Sequence, residues 1–256
     1  MLEVLPRQPF EYKIIILLQP SPTLSMISAL KNTLKRFKML RRLKHYLTGQ
    51  NWNYLEDVSG VIHVGANSGQ ERAYYNDLNL DILWIEPIPE VFKKLEINIQ
   101  KYPKQKALQA LITDQDGDTH TLHIAKNDGE SSSIFELDKH KDIWPDIHFI
   151  GDIELKSITL PSLLKREQIS PCRYQVLVLD TQGAELLILQ GATPLLKNFK
   201  YIKTEAWTFS AYKECCQLHE IESFMKKHGF KEMGRVQTAN RDGTGASFDI
   251  DYKRMQ

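Results

Sequence analysis

Short apolar runs that stop at a glycine or a carboxylate recur from residue 60 onward, separated by amphipathic stretches. This alternation constrains the fold more than any other feature. VIHVGA (Val61–Ala66) reads as a buried strand ending in glycine, and QERAYYNDL as the helix after it. DILWIE (Asp81–Glu86) is a second strand, and Pro89–Tyr102 is an amphipathic helix with proline at its start, where a missing N–H costs nothing. Leu108–Thr113 reads as a third strand, and Thr119–Ala125 as another beyond a D-x-D-G turn. Tyr174–Asp180 (YQVLVLD) is the clearest buried strand. It is followed by helix GAELLILQGATPLL, strand FKYIKTEAW, helix HEIESFMKKHG and strand candidates around Phe230–Val236 and Ala246–Tyr252. Such alternation specifies an α/β fold, a mostly parallel sheet with helices on both faces. Lys126–Asp152 lacks periodicity and is expected to be a long loop, a candidate substrate lid.

In this architecture a ligand sits beyond the carboxyl ends of the strands. The first strand ends in Gly65-Ala66-Asn67-Ser68-Gly69. Gly65 permits a tight turn, and Gly69 would let a ligand approach the backbone near the helix start. The spacing is G-x-x-x-G, with Asn67 where dinucleotide enzymes carry the glycine that admits a pyrophosphate. Glu86 closes the second strand 21 positions after Gly65, where a carboxylate can accept hydrogen bonds from both ribose hydroxyls. A ribose without a pyrophosphate points to an adenosine-type cofactor, of which S-adenosyl-L-methionine is the commonest. Asp180 follows four apolar residues, Val176–Leu179, and faces the same cleft.

VGANSG, WIEPIPEVFKKL, LVLDTQGAELLILQGA and TEAW, in order across Gly60–Phe230, resemble the FkbM-type S-adenosylmethionine-dependent methyltransferases. The D-x-x-G-A-E-x-x-x-L-x-G-A run at Asp180–Ala192 is the most specific part. The resemblance implies a class I methyltransferase (Rossmann-like) fold, with a seven-stranded sheet whose last strand runs antiparallel. It also implies O-methylation of a hydroxyl on a sugar, glycoconjugate or related metabolite. Carried over to this chain, His63, Gly65, Asn67 and Gly69 would line the methionine and ribose side of the cofactor. Glu86 with Pro87 would take the ribose, and Ile112 would border the adenine. Asp180 would lie near the methionine or the acceptor, and Glu185 and Glu205 match recurring family acids. Many relatives carry Asp at the place of His63, which departs from the pattern.

Asp180 and Glu205 are the candidate catalytic carboxylates, since a sugar hydroxyl needs a base at neutral pH. His140 and His148 in the long loop are further candidates. Trp207 and Tyr212 offer an apolar wall or a sugar-stacking platform, and Ser131–Ser133 either contact the acceptor or form a turn. Cys215, Cys216 and His219 have i, i+3 and i+4 helical spacing but no fourth ligand, so no metal is expected. A nucleotide-binding oxidoreductase and a non-catalytic binding protein remain the alternative readings.

The net charge of +1 over 256 residues hides a division. Residues 1–56 hold nine Lys/Arg against three Asp/Glu, a charge of +6, and the remaining 200 residues carry −5. The division predicts an N-terminal basic extension over residues 1–56 and a catalytic domain over 57–256. Met26–Leu47 has seven Lys/Arg, no acid, and apolar residues at three- and four-residue steps, which predicts a basic amphipathic helix. Such a helix packs on the main domain or makes a peripheral contact at the inner membrane surface. The five-residue run Ile14–Leu18 is too short to span a membrane, where about 20 apolar residues are needed. Three cysteines without a C-x-x-C pair suit a cytoplasmic setting. The expected partner is a small-molecule or saccharide acceptor and not nucleic acid; oligomeric state is not legible.

Overall fold

The computed structural model describes residues 53–255, so the Ile14–Leu18 run, the Met26–Leu47 helix and nearly all of the basic extension lie outside the described residues. Among the described residues, no helix is long and apolar enough to cross a membrane.

The main sheet contains β1 (Gly60–Val64), β2 (Asp81–Glu86), β3 (Gln105–Gln109), β7 (Val176–Leu179), β8 (Tyr201–Trp207), β9 (Phe230–Arg241) and β10 (Gly245–Arg254). Their order is β3-β2-β1-β7-β8-β10-β9. All neighbours through β8 are parallel, and β10 runs antiparallel to both β8 and β9. This is the class I methyltransferase topology, with the last strand inserted antiparallel. A second sheet, β4-β6-β5, joins β4 (Leu111–Ile112), β5 (Thr119–Ala125) and β6 (Phe149–Ile158).

Both faces of the main sheet are buried, which is why its central strands read as unbroken apolar runs. One face carries Ile62, Leu83, Leu177 and Ile202. It packs against α4 (Leu160–Arg166), α5 (Glu185–Gly191) and α6 (Leu218–Lys227). The other carries Val61, Ile82, Trp84 and Val178 against α1 (Arg72–Asp77) and α2 (Pro89–Ile99). In α2 the buried Val91, Leu95 and Ile99 recur every four residues, one stripe of a helix that begins on Pro89.

Three expectations need correction. The strand expected over Leu108–Thr113 is two strands in different sheets. The chain leaves the main sheet at Ala110, and Leu111–Ile112 pair with Ser157–Ile158 of β6. The expected loop Lys126–Asp152 contains α3 (His140–Ile143), and its last residues begin β6. It is not a free lid, because its backbone is tied to the segment after β8: the Asp138 and His140 N–H groups both donate to the Ala211 carbonyl at 3.0 Å. Finally, α4 appears where no helix is expected. Its signals are Thr159, whose Oγ1 accepts from the Ser162 N–H, and a proline in its first turn.

Candidate active site

The site forms where β1 lies between β2 and β7, at their carboxyl ends. Gly65 has φ +80°, and a Cβ placed on it would lie 1.8 Å from the Asp180 carbonyl oxygen. The Gly65 and Ala66 N–H groups both donate to the Ile85 carbonyl, at 3.0 and 3.1 Å, which straps the turn to β2. Gly65→Ala is therefore expected to cost about 3 kcal/mol or more. In a thermal melt this is a fall of roughly 10 °C.

Asn67, also in the left-handed region at φ 42°, donates its backbone N–H to Glu86 Oε2 at 2.8 Å. The Ile88 N–H donates to Glu86 Oε1 at 2.9 Å. Each oxygen of this buried carboxylate thus holds one backbone donor and keeps acceptor capacity toward the cavity. Burial pushes the Glu86 carboxyl up to about 7 against the pull of these two bonds. The Asn67 amide donates to the Asp128 carbonyl at 3.1 Å, joining the glycine turn to the loop after β5.

Asp180 follows β7 and is open to the cavity; its low-dielectric surroundings, reinforced by Asp249, raise its carboxyl to about 6. Glu205, on β8, is driven well above the usual carboxylate range by burial and then by Asp180. Gln182 joins the two carboxyls. Its Nε2 donates to Asp180 Oδ1 at 3.1 Å and to Glu205 Oε2 at 2.9 Å, and its Oε1 accepts from the Tyr212 hydroxyl at 2.8 Å. Glu185 has a different task. At the first turn of α5 it accepts from the Thr181 N–H and hydroxyl and the Gly183 N–H, stapling the turn that carries Asp180 and Gln182.

These elements enclose a cavity of about 520 Å³. His63, Gly65, Asn67, Glu86, Pro87, Ile112, Asp180 and Glu205 all line it. Gly69 does not; its α-carbon faces α2, where an added Cβ would meet Leu95 at 2.8 Å, so the missing side chain serves helix packing. His63 lies 3.3 Å from the Tyr75 hydroxyl, and burial pulls it down to about 3, leaving the ring neutral. Of the loop histidines, His140 lines the cavity, while His148 is exposed outside it. Ser131 and Ser132 line the cavity, while Ser132 also accepts from the Ala125 N–H and Ser133 donates to the Gln182 carbonyl. Cys215 and Cys216 precede α6, so their expected helical spacing with His219 does not arise.

Gln182 and Glu71 are lining residues outside the sequence expectation. Gln182 carries no charge to mark it. Glu71, at the N-terminus of α1, has its carboxyl raised to about 7 by burial; the only available signal was its place at a helix start behind the glycine turn. With Glu130, five carboxylates line the cavity, and among the described residues no lysine or arginine does. That charge pattern suits a cationic ligand and opposes a phosphate.

Sheet order, glycine turn and the acid ending β2 define a class I methyltransferase. The Methyltransferase FkbM domain matches residues 63–232, and the chain belongs to that family. It is an S-adenosylmethionine-dependent methyltransferase. No protein of curated function matches the sequence. Its structure is similar to precorrin-6y C5,15-methyltransferase from Geobacter metallireducens, with 13% identity over 77% of this chain and 80% of that one, TM-score 0.44. It is also similar to magnesium protoporphyrin IX methyltransferase from Synechocystis, with 10% identity, 86% and 80% coverage and TM-score 0.46. Aeropyrum pernix fibrillarin gives 12% identity, 82% and 74% coverage and TM-score 0.47.

The residues present fit the donor. A turn free of side-chain bulk at Gly65, an acid with spare acceptor capacity at Glu86 and an acidic lining without lysine or arginine among the described residues suit a ribose and a positively charged methionine moiety.

Proposed function

We propose that this enzyme methylates a hydroxyl oxygen of a sugar, glycoconjugate or related uncharged metabolite. The carrying observation is the carboxylate pair Asp180 and Glu205, held by one amide at the cavity wall. A hydroxyl is a weak nucleophile until its proton is removed, whereas a neutral amine needs no such help. The bound donor supplies a methyl already activated on a sulfonium. Glu86 holds the ribose hydroxyls, and Gly65, Asn67 and His63 border the methionine and ribose side. Pro87 stands beside Glu86 on the ribose side, and Ile112 borders the adenine. Asp180 accepts the acceptor's proton, and Glu205, whose carboxyl burial pushes well above the usual range, is joined to it through Gln182 and steadies the pair.

Incubating the full chain with methyl-labelled donor and separate panels of saccharides, free amines and RNA tests this reading. Label is expected in base-stable ether linkages on saccharides. Label confined to amines or RNA would overturn it.

A further inference from the structure

Strand register lays out what lies behind the carboxylate pair. Leu179 pairs with Thr204, which sets Asp180 beside Glu205, and Glu205 pairs in turn with Asp249 of β10. Three carboxyls from neighbouring strands thus form one row on one face of the sheet, roughly 5 Å from strand to strand. Two residues earlier along β7 and β8, on the same face, the next row reads Val178, Lys203 and Asp251. Lys203 stands at its centre, next to Glu205 along β8 and diagonal to both Asp180 and Asp249.

Three carboxyls this close cannot all ionise at neutral pH without a counter-charge. Lys203 Nζ is paired with Asp249 Oδ2, and the Tyr54 hydroxyl, from the helical turn before β1, donates to Asp251 Oδ1 at 2.8 Å. Lys203 is only 8% exposed, and among the described residues no other lysine or arginine is buried. It does not line the cavity. Besides Glu205 and Asp249, the charged groups felt by Asp180 are Glu71 before α1, Glu86 on β2, Glu130 after β5 and Glu185 on α5. His63 on β1 is neutral, and Tyr212 beyond β8 keeps its phenol proton. A lysine is costly to bury, so one seated alone among these acids requires a reason.

We propose that Lys203 is a positioning residue for methyl transfer: from behind the Asp180–Glu205–Asp249 row, its charge keeps Asp180 ionised and ready to take the acceptor's proton. This inference rests on Asp180 as the base of the hydroxyl-methylating reading and assigns what holds that base in its working form.

Titrating the full chain, labelled with carbon-13 at its aspartate carboxyls and followed by NMR, tests this without any acceptor. The Asp180 signal is the one missing from Asp180→Asn. Lys203→Met is expected to raise the Asp180 midpoint by about one pH unit, because a nearby cation favours the ionised form. Asp249→Asn removes a like charge and is expected to lower the midpoint by about one unit. Combining the two changes should bring it back near the wild-type value. A lysine that only filled space would leave the midpoint where it is, whatever its effect on the melting temperature. Should Lys203→Met fail to fold, the double variant, which strands no buried charge, is compared with Asp249→Asn and reads the same difference. A midpoint that does not rise in either lysine comparison would overturn the assignment and leave the hydroxyl reading standing. A raised midpoint with no label transferred to any saccharide of the panel would overturn that reading instead, and with it the part of Lys203 in catalysis.

Discussion

Asp180→Asn is expected to lower kcat by about 10²–10⁴-fold, the scale of a lost general base. Glu205→Gln should cost only about tenfold or less, because glutamine mimics the protonated acid. The asymmetry follows from the two settings: Asp180 is open to the cavity with its carboxyl raised to about 6, while burial and then Asp180 hold the Glu205 carboxyl well above the usual carboxylate range. A base works in its ionised form, so kcat/KM should fall as pH drops below about 6 and level off above it. A protonated Glu205 carries no charge to repel Asp180, so the acid limb of the Glu205→Gln profile should stay near pH 6. Calorimetry with S-adenosylhomocysteine guards the interpretation. A loss of affinity matching the loss of rate in Asp180→Asn would make Asp180 a donor-binding carboxylate rather than the base.

Glu86→Ala is expected to weaken S-adenosylhomocysteine binding by roughly 10–100-fold, the loss of charged hydrogen bonds to a ribose. The structure adds a reason for damage at the high end. The variant also strands the Asn67 and Ile88 N–H groups, which shape the glycine turn and the start of α2. Glu86→Gln should do nearly as badly. Both oxygens already accept from backbone donors, so one backbone N–H must then face the new NH₂ group. Unchanged affinity in either variant would remove Glu86 from the ribose site.

The legible parts of this chain are those where one force acts alone. Strand β2 runs over Asp81–Glu86 as expected, β7 lies within its expected run and β1 starts one residue before its own, because burial on both faces leaves mainly apolar side chains between polar ends. Gly65, Glu86 and Asp180 stand at those ends, so the cleft was readable from the same pattern. The break between β3 and β4 was not, since no glycine or proline marks Ala110; it is made by pairing with a strand over 40 residues away. Strand β6 hides because nearly all its residues keep some exposure and its apolar positions do not dominate. Gln182 acts through tertiary neighbours, Asp180 and Glu205, and leaves no mark in local spacing.

The departure of the chain from the main sheet at Ala110 also bears on how such an enzyme can diversify. Gly65 and Asp180 face each other because β1 and β7 are hydrogen-bonded neighbours, whatever length of chain joins β3 to β7. Residues added to or lost from the outer turns of the β4-β6-β5 sheet alter that appendage without changing the approach of Gly65 to Asp180. On the proposed reading, acceptor choice can change through the side sheet while the Gly65–Asp180 junction stays fixed.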